Sequence, residues 1–344
     1  MKQPKSKVLL IYTGGTIGMI QDAVTGELKS FDFKSLKEQV PELNKFDIEL
    51  SSISFKEPID SSNMQPSVWI ELVKLIETNY NKVDGFVILH GSDTMSFTAS
   101  ALSFMLENLS KPVILTGSQL PIGIIRTDGK ENLITAIEIA GSKNIKGKPI
   151  VNEVCIYFEY KLYRGNRTFK YNSQHFDAFK SPNYPALAEA GVDINYNLTA
   201  FLKPSKKSLK TFKELNNDIA VLKLFPGINA KITSALIITP GIKAIVLETF
   251  GAGNATTQQW FINELKNAIS KNIIILNITQ CSEGKVIQGM YETSSHLKKM
   301  GVISGVDLTF ESAITKLMFL LGQKLPPSKV KKLLQKNLRG ELTK

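Results

Sequence analysis

Apolar and polar positions fall in blocks along this chain, and the blocks set its elements. Val8-Leu9-Leu10-Ile11-Tyr12, Gly85-Phe86-Val87-Ile88-Leu89, Pro112-Val113-Ile114-Leu115 and the run 154–158 are short and continuously apolar, as strands buried on both faces are. Residues 48–55 read as a further strand. Between these runs, segments 68–79, 98–109 and 128–140 carry apolar residues at helical spacing, and Pro66-Ser67 marks a helix start. Strand–helix alternation predicts a doubly wound parallel sheet, because parallel neighbours need crossover connections. Near residue 200 the rhythm breaks at Lys203-Pro204-Ser205-Lys206-Lys207-Ser208, a polar stretch with the composition of a linker. A second alternating unit follows, with strands at 221–225, 244–247 and 273–278 and helices at 258–270 and 309–321. The expected organisation is α/β throughout. A larger flavodoxin-like, parallel-sheet domain covers 1–200, a linker 201–218, and a smaller α/β domain 219–344.

Composition changes this picture little. With 43% hydrophobic and 21% charged residues the chain is neither disordered nor fibrous, and no apolar stretch reaches the length that crosses a bilayer. Residues 1–7 are basic like a signal n-region. Thr13-Gly14-Gly15-Thr16 then interrupts the apolar run, and no small-residue cleavage site follows, so a cytoplasmic protein is expected. The net charge of +11 raises the question of nucleic acid. The lysines are dispersed, with concentrations at 203–213 and 324–336, and no arginine stripe alternates with aromatics. They read as a solvated surface, with neither nucleic acid nor membrane as partner. Cys155 and Cys281 stand far apart, and with three histidines there is no ligand spacing for a metal. Cys155 reads as a buried packing residue.

The candidate chemistry sits where strands end. Four candidate strands run into small, hydroxyl-rich turns: Thr13-Gly14-Gly15-Thr16, Asp60-Ser61-Ser62-Asn63, His90-Gly91-Ser92-Asp93-Thr94 and Thr116-Gly117-Ser118-Gln119. One such turn is routinely structural, but four at one sheet edge point to a functional crevice. The paired glycines let the first turn bend sharply and expose Thr16, either as a nucleophile in need of activation or as a helix cap. Asp93 can hold a substrate ammonium group while Ser92 offers a second hydroxyl; capping the next helix is the plainer alternative. In Arg164-Gly165-Asn166-Arg167-Thr168-Phe169-Lys170 the three cations form either a solvated loop or a source of one inward lysine able to accept a hydroxyl proton.

Thr-Gly-Gly-Thr-Ile-Gly-Met, Asp-Ser-Ser-Asn-Met, His-Gly-Ser-Asp-Thr-Met, Thr-Gly-Ser-Gln and Arg-Gly-Asn-Arg-Thr-Phe-Lys occur in this order. The set resembles the bacterial L-asparaginases, in particular the cytoplasmic type I enzymes. The resemblance extends through Gly251-Ala252-Gly253-Asn254 and Leu276-Asn277-Ile278-Thr279-Gln280-Cys281. It implies hydrolysis of L-asparagine to L-aspartate and ammonia without a cofactor, through an acyl-enzyme on Thr16. It further implies that Ser92, Asp93 and Lys170 form a second cluster, with Lys170 drawing the Ser92 proton and Asp93 holding the substrate α-amino group. Asp60, Ser61 and Ser62 would grip the α-carboxylate and α-amino groups, and the Gly117-Ser118 backbone would lie against the scissile amide. Asn254 would arrive from a neighbouring subunit, making the enzyme a homodimer or homotetramer with shared sites.

Three positions depart from the family pattern. Ser92 stands where threonine is usual, which keeps the hydroxyl. The lid segment between Gly18 and Phe31 lacks the tyrosine that normally contacts the nucleophile, and Glu27 stands near its place. Cys281 matches a second, effector asparagine pocket found in some type I members, but Phe169 and Glu248 replace the expected threonine and arginine. Loss of that cation predicts weak or absent allosteric activation. The alternatives are a mixed glutaminase–asparaginase, since one methylene changes binding by only about 1–3 kcal/mol, and a non-catalytic amino-acid sensor on the same fold. A tRNA-dependent amidotransferase subunit is disfavoured, because that type carries an added amino-terminal domain.

Overall fold

Ser54, Tyr12, Leu89 and Thr116 stand side by side in one row across a parallel sheet, and that row decides where the hydroxyl-rich turns emerge. The computed structural model describes residues 4–18, 20–21, 28–29, 33–289 and 292–343. The chain divides into two units, 1–213 and 214–344.

In the first unit, strands β1 (Ser6–Tyr12), β2 (Ile48–Ser54), β3 (Gly85–Leu89), β4 (Val113–Thr116) and β5 (Val154–Phe158) are parallel in the order β2-β1-β3-β4-β5. This is the doubly wound, flavodoxin-like order expected above, whose ligand crevice opens at the carboxyl ends of the strands. The apolar runs form strands because both faces are covered. Val8, Leu10, Tyr12, Val87, Leu89 and Ile114 pack in one core with Leu133, Ala136, Ile137 and Ala140 of a helix, while Leu9, Ile11, Phe86 and Ile88 are buried as well. Helices α1 (Phe33–Gln39), α2 (Pro66–Asn79), α3 (Met95–Met105) and α4 (Gly129–Gly141) supply the crossovers.

Two features differ from the sequence expectation. After β5 the alternation stops. Strands β6 (Lys161–Arg164), β7 (Ala188–Ala190) and β8 (Ile194–Tyr196) extend the sheet in antiparallel fashion to eight strands. The turn between β5 and β6 is Glu159-Tyr160, both at positive φ, a two-residue hairpin without the glycine or asparagine that would announce it. The helix expected to reach residue 109 stops at Met105, because Leu106–Glu107 pairs with Lys210–Thr211 from the stretch with linker composition.

The second unit holds four parallel strands in sequential order, β9 (Ile219–Lys223), β10 (Ala244–Thr249), β11 (Ile274–Thr279) and β12 (Ile303–Ser304). Helices α5 (Ala230–Ile238), α6 (Gln259–Ser270), α7 (Glu292–Met300), α8 (Phe310–Gly322) and α9 (Pro327–Leu334) accompany them. Its core joins Ile245, Leu247 and Ile275 of the sheet to Phe261 and Leu265 of α6. Part of the lysine-rich stretch 324–336 is α9, which buries Val330 and Leu334. Beyond it, fully buried Lys316 of α8 pairs with fully buried Glu341 at 2.5 Å and donates to the Leu334 and Lys336 carbonyls. Cys155 is buried, as expected, and Cys281 is exposed. No described helix is long and apolar enough to cross a membrane.

Candidate active site

Because β1, β3 and β4 end in register beside β2, the four turns leave the sheet next to one another and lock together through their backbones. Thr13 donates its N–H and its hydroxyl to the Leu89 carbonyl, at 3.1 and 3.0 Å. Its own carbonyl accepts from Ile59, just before the second turn, at 2.8 Å. His90 N–H donates to Thr116 O at 2.9 Å, and the Thr94 hydroxyl to Ser61 O at 2.7 Å. Glycines make this closeness possible. A Cβ on Gly15, which sits at φ 90°, would overlap the Gly91 backbone, and one on Gly91 would run into the Ser61 side chain. Thr16 opens a single 3₁₀ turn, Thr16–Gly18, directly after that contact, and is half-buried.

His90 anchors the third turn from below. It is fully buried, with Nδ1 2.6 Å from Gly91 O and Nε2 2.8 Å from the Thr98 hydroxyl, which also accepts from Trp69 Nε1 at 3.0 Å. A carbonyl can only accept, so Nδ1 carries the hydrogen and Thr98 donates to Nε2. Burial pushes the imidazole down to about 4, which keeps it neutral. It is a structural histidine.

Ser92, Asp93 and Lys170 come together above it. Lys170 Nζ donates to Ser92 Oγ at 2.8 Å and to Asp93 Oδ1 at 2.7 Å. The lysine side chain is 16% exposed and Asp93 is 65% exposed, so the pair stands at the lip of the crevice. With Lys170 donating, the Ser92 hydrogen is directed to Gln119 Oε1 at 3.4 Å, and Gln119 Nε2 donates to His175 O at 3.0 Å. Of the three cations in the 164–170 segment, Lys170 faces this cluster. Arg164 and Arg167 are 3% and 2% exposed; Arg164 pairs with Glu153 at 2.5 Å, and both guanidinium groups lie over the Tyr184 ring.

In the second turn Asp60 is exposed, and its Oδ1 accepts the Ser62 N–H and hydroxyl at 2.9 and 2.8 Å. The backbone bond first, then the hydroxyl bond, hold its carboxyl below the usual range. Ser61 is buried beside Gly91. Ser118 is 3% exposed, its hydroxyl turned back onto Leu120 O at 2.6 Å, so its backbone rather than its side chain is available. Asn254 belongs to the second unit, in the tight turn Phe250–Asn254 after β10. Glu248 and Cys281 are also in that unit, whereas Phe169 lies in the first. Glu27 falls outside the described residues; in the segment around it, Ile20–Gln21 pairs with Leu28–Lys29. Among the described residues no cluster of His, Cys, Asp and Glu has the arrangement of a metal centre.

Thr16, Asp60, Ser61, Ser62, Ser92, Asp93 and Ser118 thus stand on adjoining turns of one unit, and Lys170 reaches Ser92 and Asp93 from the short strand Phe169–Lys170. Gln119, Asp128 and Asn132, which the sequence reading did not assign, hydrogen-bond to these turns. Gln119 was in view as the end of Thr-Gly-Ser-Gln, whereas nothing local marked Asp128 or Asn132 beyond a helix start.

Sequence comparison decides the family. The model for the N-terminal asparaginase domain matches residues 7–201, and that for the glutaminase/asparaginase C-terminal domain matches 218–334. The chain belongs to the asparaginase family. Over 344 residues it is 42% identical to L-asparaginase 1 of Escherichia coli (strain K12), covering 98% of each chain. It is 39% identical over 363 residues to the 60 kDa lysophospholipase of Mus musculus, covering 99% of this chain and 63% of that protein. Among solved structures, L-asparaginase I from Vibrio cholerae superposes with a TM-score of 0.89 at 39% identity, covering 98% of this asparaginase-family chain and 99% of the other.

Proposed function

We propose that this protein hydrolyses L-asparagine to L-aspartate and ammonia. One observation carries the reading most heavily: Lys170 Nζ bonded to both Ser92 Oγ and Asp93 Oδ1, on a turn whose backbone abuts the one bearing Thr16. Thr16 Oγ attacks the side-chain amide carbon, and the collapsing tetrahedral species expels ammonia, which leaves with the threonine proton. Water then cleaves the resulting ester, giving its hydroxyl to aspartate and a proton back to Thr16. Lys170 Nζ takes the Ser92 proton as Ser92 Oγ takes that of the attacking Thr16 or water, and the relay runs back to deliver a proton to the departing ammonia or to Thr16. Asp93 and Asp60 supply acceptors for the substrate ammonium, while Ser61, Ser62 and backbone N–H groups receive its carboxylate. Asn254 completes the site from a neighbouring subunit of a homodimer or homotetramer, and the protein acts in the cytoplasm. With Glu248 in place of a cation, asparagine does not activate its own hydrolysis, and rate against concentration is hyperbolic.

Ammonia release from asparagine and from glutamine by the purified protein tests this reading. Turnover of asparagine is expected, with glutamine slower. No release from either amide, combined with thermal stabilisation by aspartate, would instead establish an amino-acid sensor.

A further inference from the structure

The backbone on either side of Ser118 is tied to the start of α4. The Gly117 carbonyl accepts from Asn132 Nδ2 at 3.1 Å. The Gln119 N–H donates to both oxygens of Asp128, at 3.1 and 2.9 Å, and the Leu120 N–H donates to Oδ1 at 3.2 Å. The Leu120 carbonyl takes the hydroxyls of Ser118 and Thr127 at 2.6 and 3.1 Å. Asn132 also donates to Asp128 Oδ2 at 3.2 Å, and its own Oδ1 accepts the Glu159 N–H at 3.0 Å. Among the described residues, the N–H and C=O of Ser118 have no partner within the protein, and neither do the flanking Gly117 N–H and Gln119 C=O.

In a trans peptide the carbonyl and the following N–H point in opposite directions, and no cis bond occurs here. Asp128 draws the Gln119 N–H towards itself, so the Ser118 carbonyl points away from Asp128. Asn132 draws the Gly117 carbonyl, so the Ser118 N–H points away from Asn132. Asp128 and Asn132 are 5% and 0% exposed at the start of α4, behind the turn. Burial works against the Asp128 charge and raises its carboxyl above the ordinary range despite the hydrogen bonds it accepts. A carboxylate held there against its own solvation is retained for the bonds it makes.

We propose that Asp128 and Asn132 are positioning residues that aim the Ser118 carbonyl at the side-chain amide of the substrate, a role that rests on the asparaginase reading. A carbonyl oxygen accepts from the NH₂ of asparagine and repels the carboxylate oxygen that replaces it in aspartate. The pair therefore lines up the scissile amide for Thr16 and favours substrate over product.

The test compares wild type with Asp128→Asn and Asn132→Ala in steady-state ammonia release, inhibition by L-aspartate and thermal unfolding. Asp128→Asn places an NH₂ against backbone donors and frees the 118–119 peptide. Its kcat should fall on the order of 10- to 100-fold, as a misplaced reacting group predicts, with KM within about threefold because the α-carboxylate and ammonium contacts remain. Aspartate should bind at least as tightly as to wild type, so the ratio of aspartate to asparagine affinity rises. Asn132→Ala should show the same pattern more weakly, and it carries the test if Asp128→Asn does not fold. Variants with wild-type kcat, or with kcat and aspartate affinity falling together in step with lost folded protein, would overturn the proposal. Wild-type protein that releases no ammonia would remove the asparaginase reading itself, and this dependent role with it.

Discussion

At the scale of single residues, two buried groups give the molecule opposite responses to pH. His90 is neutral in the fold with a pKa near 4, against 6.5 when exposed, so the unfolded chain takes up a proton first on acidification. Its contribution to stability is complete above about pH 6.5 and is lost as pH falls towards 4, up to about 3 kcal/mol. Glu311 in α8 is raised to about 7 by burial, with the Glu248 charge adding to it, and its Oε2 has no hydrogen-bond partner. Here the folded state holds the proton more tightly, so stability is complete below about pH 4.5 and lost as pH rises through 7. Thermal melts between pH 4 and 8 should show His90→Gln flattening the acidic slope. Glu311→Gln should raise the melting temperature at pH 8 and change it little at pH 4.5. Unchanged slopes in both variants would contradict these assignments. Residue identity was also where sequence reading fell short. The residues of the 164–170 run alone favoured a solvated loop over an inward lysine, because the partners that bury Arg164 and Arg167, Glu153 and Tyr184, are remote along the chain.

At the scale of elements, the parallel half of the first sheet was legible because continuous apolar runs, bounded by Gly and hydroxyl residues, state strand and turn together. The antiparallel half was not. Its hairpin turn uses Glu159-Tyr160, and β7 and β8 are three residues long, too short for a pattern to register. The four turns carry a sharper expectation. Gly15→Ala and Gly91→Ala should each disrupt the interlocked backbone, lowering the melting temperature by several degrees and abolishing ammonia release. Gly147→Ala meets open space and should cost only the strain of its φ of 70°, about 1 kcal/mol, leaving activity intact. Equal tolerance of all three substitutions would mean the turns are not packed as described.

At the scale of the whole molecule, Thr16 and the Ser92–Asp93–Lys170 cluster proposed as catalytic lie in one unit and Asn254 in the other, and the proposed subunit sharing makes a complementation experiment decisive. Thr16→Ala and Asn254→Ala homo-oligomers should each be nearly inactive. Unfolding and refolding them as a mixture should restore up to about a quarter of wild-type activity if subunits assort at random into shared-site dimers. No recovery, with mixed oligomers formed, would contradict sharing. The excess positive charge takes no part in this scheme, and α9 shows how a lysine run can be the solvated face of a helix whose other side is core.

In the proposed hydrolysis Thr16 attacks and the Ser92–Asp93–Lys170 cluster moves the proton and holds the substrate. Ammonia release from asparagine by Thr16→Ala and Lys170→Ala, measured beside wild type at matched folded concentration, tests that most directly. Both variants should melt within a few degrees of wild type and lose at least about a thousandfold in kcat, as removal of the attacking hydroxyl or of the group that takes the Ser92 proton does. Either variant turning over asparagine at a rate close to wild type would contradict the mechanism.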